Sequence, residues 1–244
     1  APLPFGKEKI EVHGKANVGY DTNARGVSGS ASLEAGYGKW GLRLHGMYTK
    51  GGDYSTADYI LNNTGYNTIS LSGALGYHAS RVTATVYSSL YYASKISDLD
   101  QLVKRFEYGR PDSSTFRPFS YDIKPPFQQS QHFTLKGEVK WNLSDNHRID
   151  FTASFQENLR QEFENRKKAD WSWIPMQDLI LKTFKADVLW HAKWNRWGMT
   201  TDVGTSNTYQ TNYNYPGTKQ PAFVPNFAAL SMGGYFLHKA ELGK

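Results

Sequence analysis

The chain of 244 residues carries 28 Lys and Arg against 22 Asp and Glu, giving a net charge of +6, and 39% of its residues are hydrophobic. This composition excludes a disordered chain, and the absence of cysteine excludes disulfides, thiolate metal sites and a cysteine nucleophile. The basic residues are scattered rather than clustered, so we expect no nucleic-acid partner.

Alternation of apolar and polar residues begins near the start of the chain. Across 9–20, apolar side chains at even positions alternate with Glu11, His13 and Lys15 at odd positions. A period of two residues predicts a β-strand with one apolar and one polar face. The same pattern predicts ten strands, at about 9–20, 27–37, 40–49, 68–78, 82–92, 132–141, 148–156, 183–191, 197–206 and 227–239.

Short and long connections alternate along this series. Short turns follow Tyr37, Tyr77, Trp141 and Trp190, and long loops cover 51–66, 94–130, 158–178 and 210–226. The link 21–26 is an exception, because it is short where a long loop is due. Short turns at one end and long loops at the other are typical of a transmembrane meander barrel. Within the loop 94–130, Leu99, Leu102 and Phe106 recur at helical spacing and predict a short helix.

Aromatic residues recur at both ends of the strands, on the apolar parity. One group lies beside the short turns and comprises Tyr37, Trp40, Tyr77, Trp141, Trp190 and Trp197, while Tyr20, Tyr48, Tyr92 and Phe155 mark the opposite ends. Two such bands match the aromatic girdles of a membrane barrel. The alternative is that aromatic residues favour strand ends and cross-strand pairs in any sheet.

Ionisable residues occupy the polar parity in the middle of the strands. They are Glu11, Lys15, Glu34, Arg43, His45, Lys136, Glu138, Asp150, Lys185, Asp187 and Asp202. Charged groups are costly in lipid and in a dry protein core, so these residues need water or a polar partner. We therefore predict that they line a water-filled or plugged interior.

No pattern in the chain predicts catalysis. The seven histidines are never within four residues of one another, and neither a phosphate-binding loop nor a nucleophile elbow occurs. His191 shares the parity of Asp187 and Lys185, but ion pairs in a polar interior are far commoner than catalytic dyads. We expect no enzymatic activity, no bound metal and no cofactor.

Several segments resemble the early barrel strands of TonB-dependent outer-membrane receptors. The resemblance rests on "EVHGKANVGYDTN", "WGLRLHGMYTKGGDY", "LVKRFEYGRPDS" and "HFTLKGEVKWNLSDNHRIDFTASFQENLRQEFE", taken with their order and loop lengths. It implies part of a barrel of about 22 strands around an amino-terminal plug. It also implies location in the outer membrane of a Gram-negative bacterium, and energy-coupled uptake through TonB of a scarce nutrient such as an iron chelate carried by a siderophore, haem, cobalamin or a glycan.

On this interpretation, 1–8 link a missing plug to the first strand, and 9–240 form a partial barrel. The implied partners are outer-membrane lipid, the plug, the remaining strands, TonB through the plug, and a small-molecule substrate. Candidate loop contacts for that substrate are Tyr54, Tyr59, Tyr121, Phe127, Trp171, Trp173, Tyr209, Tyr213 and Tyr215. Two alternatives remain open: a complete ten-stranded outer-membrane enzyme such as a protease, and a soluble carbohydrate-binding module.

Overall fold

The protein is described by a computed structural model that covers residues 3–57, 59–94, 118–164, 166, 169–194 and 198–240. Its strands are β1 Lys7–Asp21, β2 Gly26–Gly38, β3 Trp40–Gly51, β4 Tyr54–Ser55, β5 Ile60–Leu61, β6 Tyr66–His78, β7 Val82–Ser94, β8 Phe127–Asn142, β9 His147–Phe163, β10 Gln177–Trp194, β11 Met199–Asn214 and β12 Phe227–Ala240. A 3-10 helix spans Ala169–Trp173.

Ten of these strands form one antiparallel sheet in the order β1-β2-β3-β6-β7-β8-β9-β10-β11-β12. Each strand pairs with its neighbours in sequence, which confirms the predicted meander. The remaining two strands, β4 and β5, pair only with each other as a small hairpin in the loop after β3. That hairpin was not predicted, because two-residue strands show no periodicity. The helix predicted at 97–109 lies outside the described residues.

The turns follow the predicted alternation of short and long connections. Gly38 has a φ of +52°, a left-handed conformation that favours glycine, and it begins the two-residue link between β2 and β3. We call the end of the sheet with these short links the turn end and the opposite end the loop end. The link 22–25 joins β1 to β2 at the loop end, where Arg25 has a φ of +46°.

Directly paired residues point to the same face, so the register divides the sheet into a polar face and an apolar face. Aromatic residues border the apolar face at both ends. In β3 the borders are Trp40 and Tyr48. In β10 they are Trp190 and Phe184. Trp190 lies two residues closer to the turn end than the β10 residue in register with Trp40, and Phe184 lies four residues closer to the turn end than the β10 residue in register with Tyr48. Both borders therefore shift in the same direction across the sheet.

The apolar face has no protein layer over it in the described part of the chain. Val18 is 91% exposed and Ile10 is 71% exposed. The sheet is also open: β1 and β12 each lack a second neighbour among the described strands. Residues of β12 are exposed on both faces. No helix in the described residues is long and apolar enough to cross a membrane.

Candidate functional site

The residues predicted to face an interior all lie on the polar face. Register places Glu34 directly opposite Arg43, and His45 in the next row toward the loop end. Glu138 and Asp187 share a row, because both pair with Thr152. The same face carries Glu11, Lys15, Lys136, Asp150, Lys185 and Asp202.

Most charged groups of this face form ion pairs with close neighbours. The Arg43 Nε to Glu34 Oε1 distance is 2.6 Å. Lys136 and Glu138 also approach to 2.6 Å, and Lys185 and Asp187 to 3.0 Å. Each of these side chains is between about a quarter and a half exposed, so each pair contributes at most about 1 kcal/mol to stability. The ion pairs therefore lower the desolvation cost of placing charged residues on this face, while their side chains remain partly exposed to solvent.

His191 joins two carboxylates at the turn end of the polar face. Its Nδ1 lies 2.6 Å from Asp202 Oδ1, and its Nε2 lies 3.3 Å from Asp150 Oδ2. Asp150 in turn lies 2.9 Å from the Nε of Arg148. Asp187, which shares the parity of His191, instead contacts Lys185. The cluster therefore joins His191 to Asp150 and Asp202 rather than to Asp187, the partner considered from the sequence.

Charge is unevenly distributed on the polar face. The turn half, as we call it, contains Glu11, Lys15, Glu34, Arg43, Lys136, Glu138, Lys140, Arg148, Asp150, Lys185, Asp187 and Asp202. The loop half consists of three rows: first Asn17, Ser30, Met47, Ser70, Tyr91, His132, Asn158, Leu181, Asn212 and Phe227, then Gly19, Ser28, Thr49, Thr68, Ala93, Ser130, Arg160, Leu179 and Asn214, and last a row that includes Asp21, Tyr66, Gln128, Glu162 and Gln177. Among these described residues of the loop half, Arg160 is the single cation, and Asp21 and Glu162 are the two carboxylates.

A cleft of about 560 Å³ opens in the loop half, between β9 and β12. Its apolar lining comes from Leu179, Leu181, Phe223, Val224 and Phe227, and its polar lining from Asn158, Arg160, Glu162, Gln177, Gln210 and Asn212. Arg160 Nη2 and Glu162 Oε1 are 2.6 Å apart, so the one charged pair of the cleft neutralises itself. We refer to this site as the vestibule cleft.

The loops above β1 to β7 are joined around a buried aspartate. Asp53 is 2% exposed, and its carboxylate accepts hydrogen bonds from the backbone N–H groups of Thr64 and Ser120 and from the side-chain amide of Asn62. Its own N–H donates to the carbonyl of Ser120 at 2.9 Å. These bonds fix the loop after β3 to the loop before β8. Sequence reasoning missed this residue, since nothing local distinguishes it from other loop aspartates.

Three predicted contact residues lie in this loop assembly. The Tyr121 hydroxyl donates to the carbonyl of Arg25 at 2.9 Å, and Tyr54 stacks against Tyr66 with ring centroids 6.0 Å apart. Tyr59 closes the β4–β5 hairpin through backbone bonds with Thr56. Tyr54 and Tyr121 remain 39% and 45% exposed, so each packs one part of its ring and presents another part to solvent.

The other predicted loop aromatics lie farther along the sheet. Trp171 and Trp173 belong to the 3-10 helix, and the Trp173 ring lies 6.2 Å from that of Phe127. Phe127 is buried and stacks on Phe163. Tyr213 pairs with Ile180 on the apolar face, and Tyr209 and Tyr215 likewise lie outside the polar face or its cleft. The structure therefore does not bring the predicted loop contacts into one site.

The segment before β1 folds back onto the polar face at its turn end. Gly36, Gly41 and Gly76 pair in one row, and they form a floor without side chains. Leu3 and Phe5 fill it: a Cβ on Gly76 would lie 2.6 Å from Leu3 Cδ1 and 2.7 Å from Phe5 Cζ. We call this row the glycine floor. Leu3 is 9% exposed as a result.

Among the described residues, no group of three or more His, Cys, Asp or Glu side chains is arranged to hold a metal ion. The interactions that the polar face shows are hydrogen bonds and ion pairs.

No family model and no curated protein matches this sequence. Solved structures do match the fold. The open form of the ferric-catecholate import receptor Fiu from E. coli K12 aligns with a TM-score of 0.63 at 11% identity, and the copper transporter OprC aligns with a TM-score of 0.54 at 14% identity. The chain has the fold of part of a TonB-dependent receptor barrel. This confirms the fold that the segment resemblance implied.

The alignments cover 100% and 96% of this chain, but only 43% and 40% of the two solved chains. The chain thus spans less than half the length of the structures that it matches. At these identities the likeness concerns the fold, and it transfers no ligand-binding residue.

Proposed function

We propose that the chain forms part of an outer-membrane transporter of a Gram-negative bacterium, with its apolar face in lipid and its polar face toward an aqueous interior. The observation that carries this proposal is the shift of the two aromatic borders across the sheet. From β3 to β10, the border at the turn end moves from the row of Trp40 to Trp190, and the border at the loop end moves from the row of Tyr48 to Phe184.

Strands of a membrane barrel tilt by about 35–45°, so a level bilayer surface meets successive strands at different rows of the register. Both bilayer surfaces are displaced in the same direction, as both borders are here. Aromatic residues that only stabilised cross-strand pairs would stay in one row. The shift therefore favours a bilayer over the interior of a soluble sheet.

The polar face and the open edges fit the same arrangement. Charged groups such as Glu138 and Asp187 are tolerated beside water or a polar partner, but not in lipid. The free edges of β1 and β12 require further strands, because lipid cannot satisfy backbone hydrogen bonds. We propose that those strands complete a larger barrel of about 22 strands, closed by a plug.

Contact of Leu3 and Phe5 with the glycine floor supports the assignment of 1–8 as a link from such a plug, since it directs the chain along the polar face. We infer that a scarce small-molecule nutrient enters from the loop end. Energy for its release would come through TonB acting on the plug. The candidate contacts remain the exposed aromatics of the loops, above all Tyr54 and Tyr121.

Two adjacent positions of β7 test the placement of the faces. Val86 is on the apolar face and 52% exposed, and Tyr87 is on the polar face and 38% exposed. Because the chain has no cysteine, Val86→Cys and Tyr87→Cys can each carry a single nitroxide label in the protein in its native membrane. We expect the label at 86 to collide with oxygen dissolved in lipid, and the label at 87 with a water-soluble nickel chelate. Equal exposure of both labels to the nickel chelate would refute the proposal.

A further inference from the structure

We propose that the vestibule cleft binds an uncharged, hydroxyl-rich ligand, a neutral oligosaccharide. This inference rests on the proposed function, because it names the substrate class of that transporter. It depends on the division of the polar face into a turn half rich in charged residues and a loop half whose paired rows carry one cation, itself held in an ion pair.

A ligand entering from the loop end meets the loop half first. There, the single cation among the paired rows is Arg160, and it is neutralised by Glu162 at 2.6 Å. Recognition of an anionic metal chelate requires cations that are available to it, because charge-assisted hydrogen bonds and a complementary potential supply the affinity. The loop half provides hydroxyl and amide groups instead of such cations.

The lining of the vestibule cleft matches the two kinds of surface on a sugar. The side-chain amides of Asn158, Gln177 and Gln210 each carry donors and an acceptor, the groups that pair with ligand hydroxyls. The amide nitrogen of Asn158 lies 2.8 Å from the His132 ring and that of Gln210 donates to Thr183 Oγ1 at 2.9 Å, so these two amides are held in position by the polar face itself. Leu181 and Phe227 supply an apolar surface for the C–H face of a sugar ring. The volume of about 560 Å³ lies within the range of about 300–1,000 Å³ that small-molecule sites occupy.

Hydrogen bonds within the protein hold this lining in place. The Asn212 amide, in a side chain that is 4% exposed, donates to the carbonyl of Pro225 at 3.0 Å. Asn214 donates to the carbonyl of Val224 at 2.7 Å, which fixes the loop that supplies Phe223 and Val224 to the cleft. A site whose loop is already ordered loses less entropy on binding a ligand.

The test uses the complete receptor in detergent, an array of neutral oligosaccharides and a ferric tricatecholate as the anionic probe. We expect at least one neutral oligosaccharide to bind and the ferric tricatecholate to bind at least tenfold more weakly. Leu181→Glu should then reduce oligosaccharide affinity by tenfold or more, because it buries an unpaired charge against the ligand. Leu189→Glu is the matched control, since it places the same charge on the same strand and face in the turn half.

Binding of the ferric tricatecholate alone would overturn the inference, as would an array on which no oligosaccharide binds. Equal loss of oligosaccharide affinity in Leu181→Glu and Leu189→Glu would also overturn it, because the ligand would then not occupy the cleft. Phe227→Ala, which adds no charge, should weaken binding in parallel with Leu181→Glu. If these binding tests fail but the nitroxide test gives the expected result, the proposed transporter function stands and only the assignment of its substrate class is refuted.

Discussion

Substituting Gly36, in the glycine floor, with alanine should release the segment before β1 from the polar face. A Cβ at this position would clash with the backbone carbonyl oxygen of Pro4 and would lie 3.1 Å from its carbonyl carbon. These blocking atoms belong to the backbone of the docked segment, so a change of side-chain rotamer cannot make room for the new methyl group. Moving that segment away is therefore the simplest way to accommodate it.

The size of the effect follows from the burial of Leu3, which is 9% exposed when docked. Burying a leucine side chain contributes about 1.5–3 kcal/mol, and the docked segment would lose most of this contribution. A loss of about 2 kcal/mol raises the population of the undocked form by a factor of about 30. A reagent that reacts only with the undocked form should react faster by the same factor.

Labelling of Pro4→Cys by a water-soluble maleimide measures this population, since the chain has no other thiol. Gly233→Ala is the matched control: it lies in the same row of the polar face, and its Cβ would meet nothing closer than 3.7 Å. Leu3→Ala should also accelerate labelling of the cysteine at position 4, and it does so without changing any residue of the polar face. Unchanged labelling in Gly36→Ala, in protein that still folds, would refute the role of the glycine floor.

Two further substitutions test other parts of the structure. Asp53→Ala should destabilise the loop assembly by about 3 kcal/mol, because it leaves buried hydrogen-bond donors without acceptors. Limited proteolysis should therefore cut the loops of this variant faster than those of the control Asp122→Ala, whose substituted residue is exposed. Equal cleavage rates in the two variants would contradict the prediction. Val188→Lys should destabilise the inserted barrel by about 2–4 kcal/mol, because the charge would face lipid near the middle of the apolar band. Leu189→Lys, one residue along on the polar face, should cost far less when unfolding by urea in lipid vesicles is compared.

Strands and faces could be predicted from the sequence because each depends on a local rule. Alternation with a period of two places Glu138 and Asp187 on one face whatever lies across from them, and the short link at Gly38 fixes which strands are neighbours. Strand ends were less accurate: β9 continues to Phe163, beyond the predicted 148–156, since Glu157 and Gln161 interrupt the apolar parity there. Polar residues at the loop end of a barrel strand give no alternation to detect.

The loop assembly and the vestibule cleft depend instead on contacts between distant segments. Asp53 is joined to Ser120 across 67 positions of the sequence, and Arg166 donates to the carbonyl of Thr218 across 52. No local pattern specifies such pairs. The glycine floor is a partial exception: three glycines at matching rows of neighbouring polar faces could have indicated a close approach of backbone or side chain.

The uneven distribution of charge on the polar face requires an explanation other than solvation. In a water-filled interior, an ion pair such as Lys185 with Asp187 costs little at any depth, so water alone would not concentrate the charges in the turn half. A polar face that bound no specific partner would therefore be expected to carry charged residues along its whole length. Their separation fits the two partners proposed above: a protein segment beside the turn half, where Leu3 and Phe5 lie against the glycine floor, and an uncharged ligand beside Leu181 and Phe227 in the loop half.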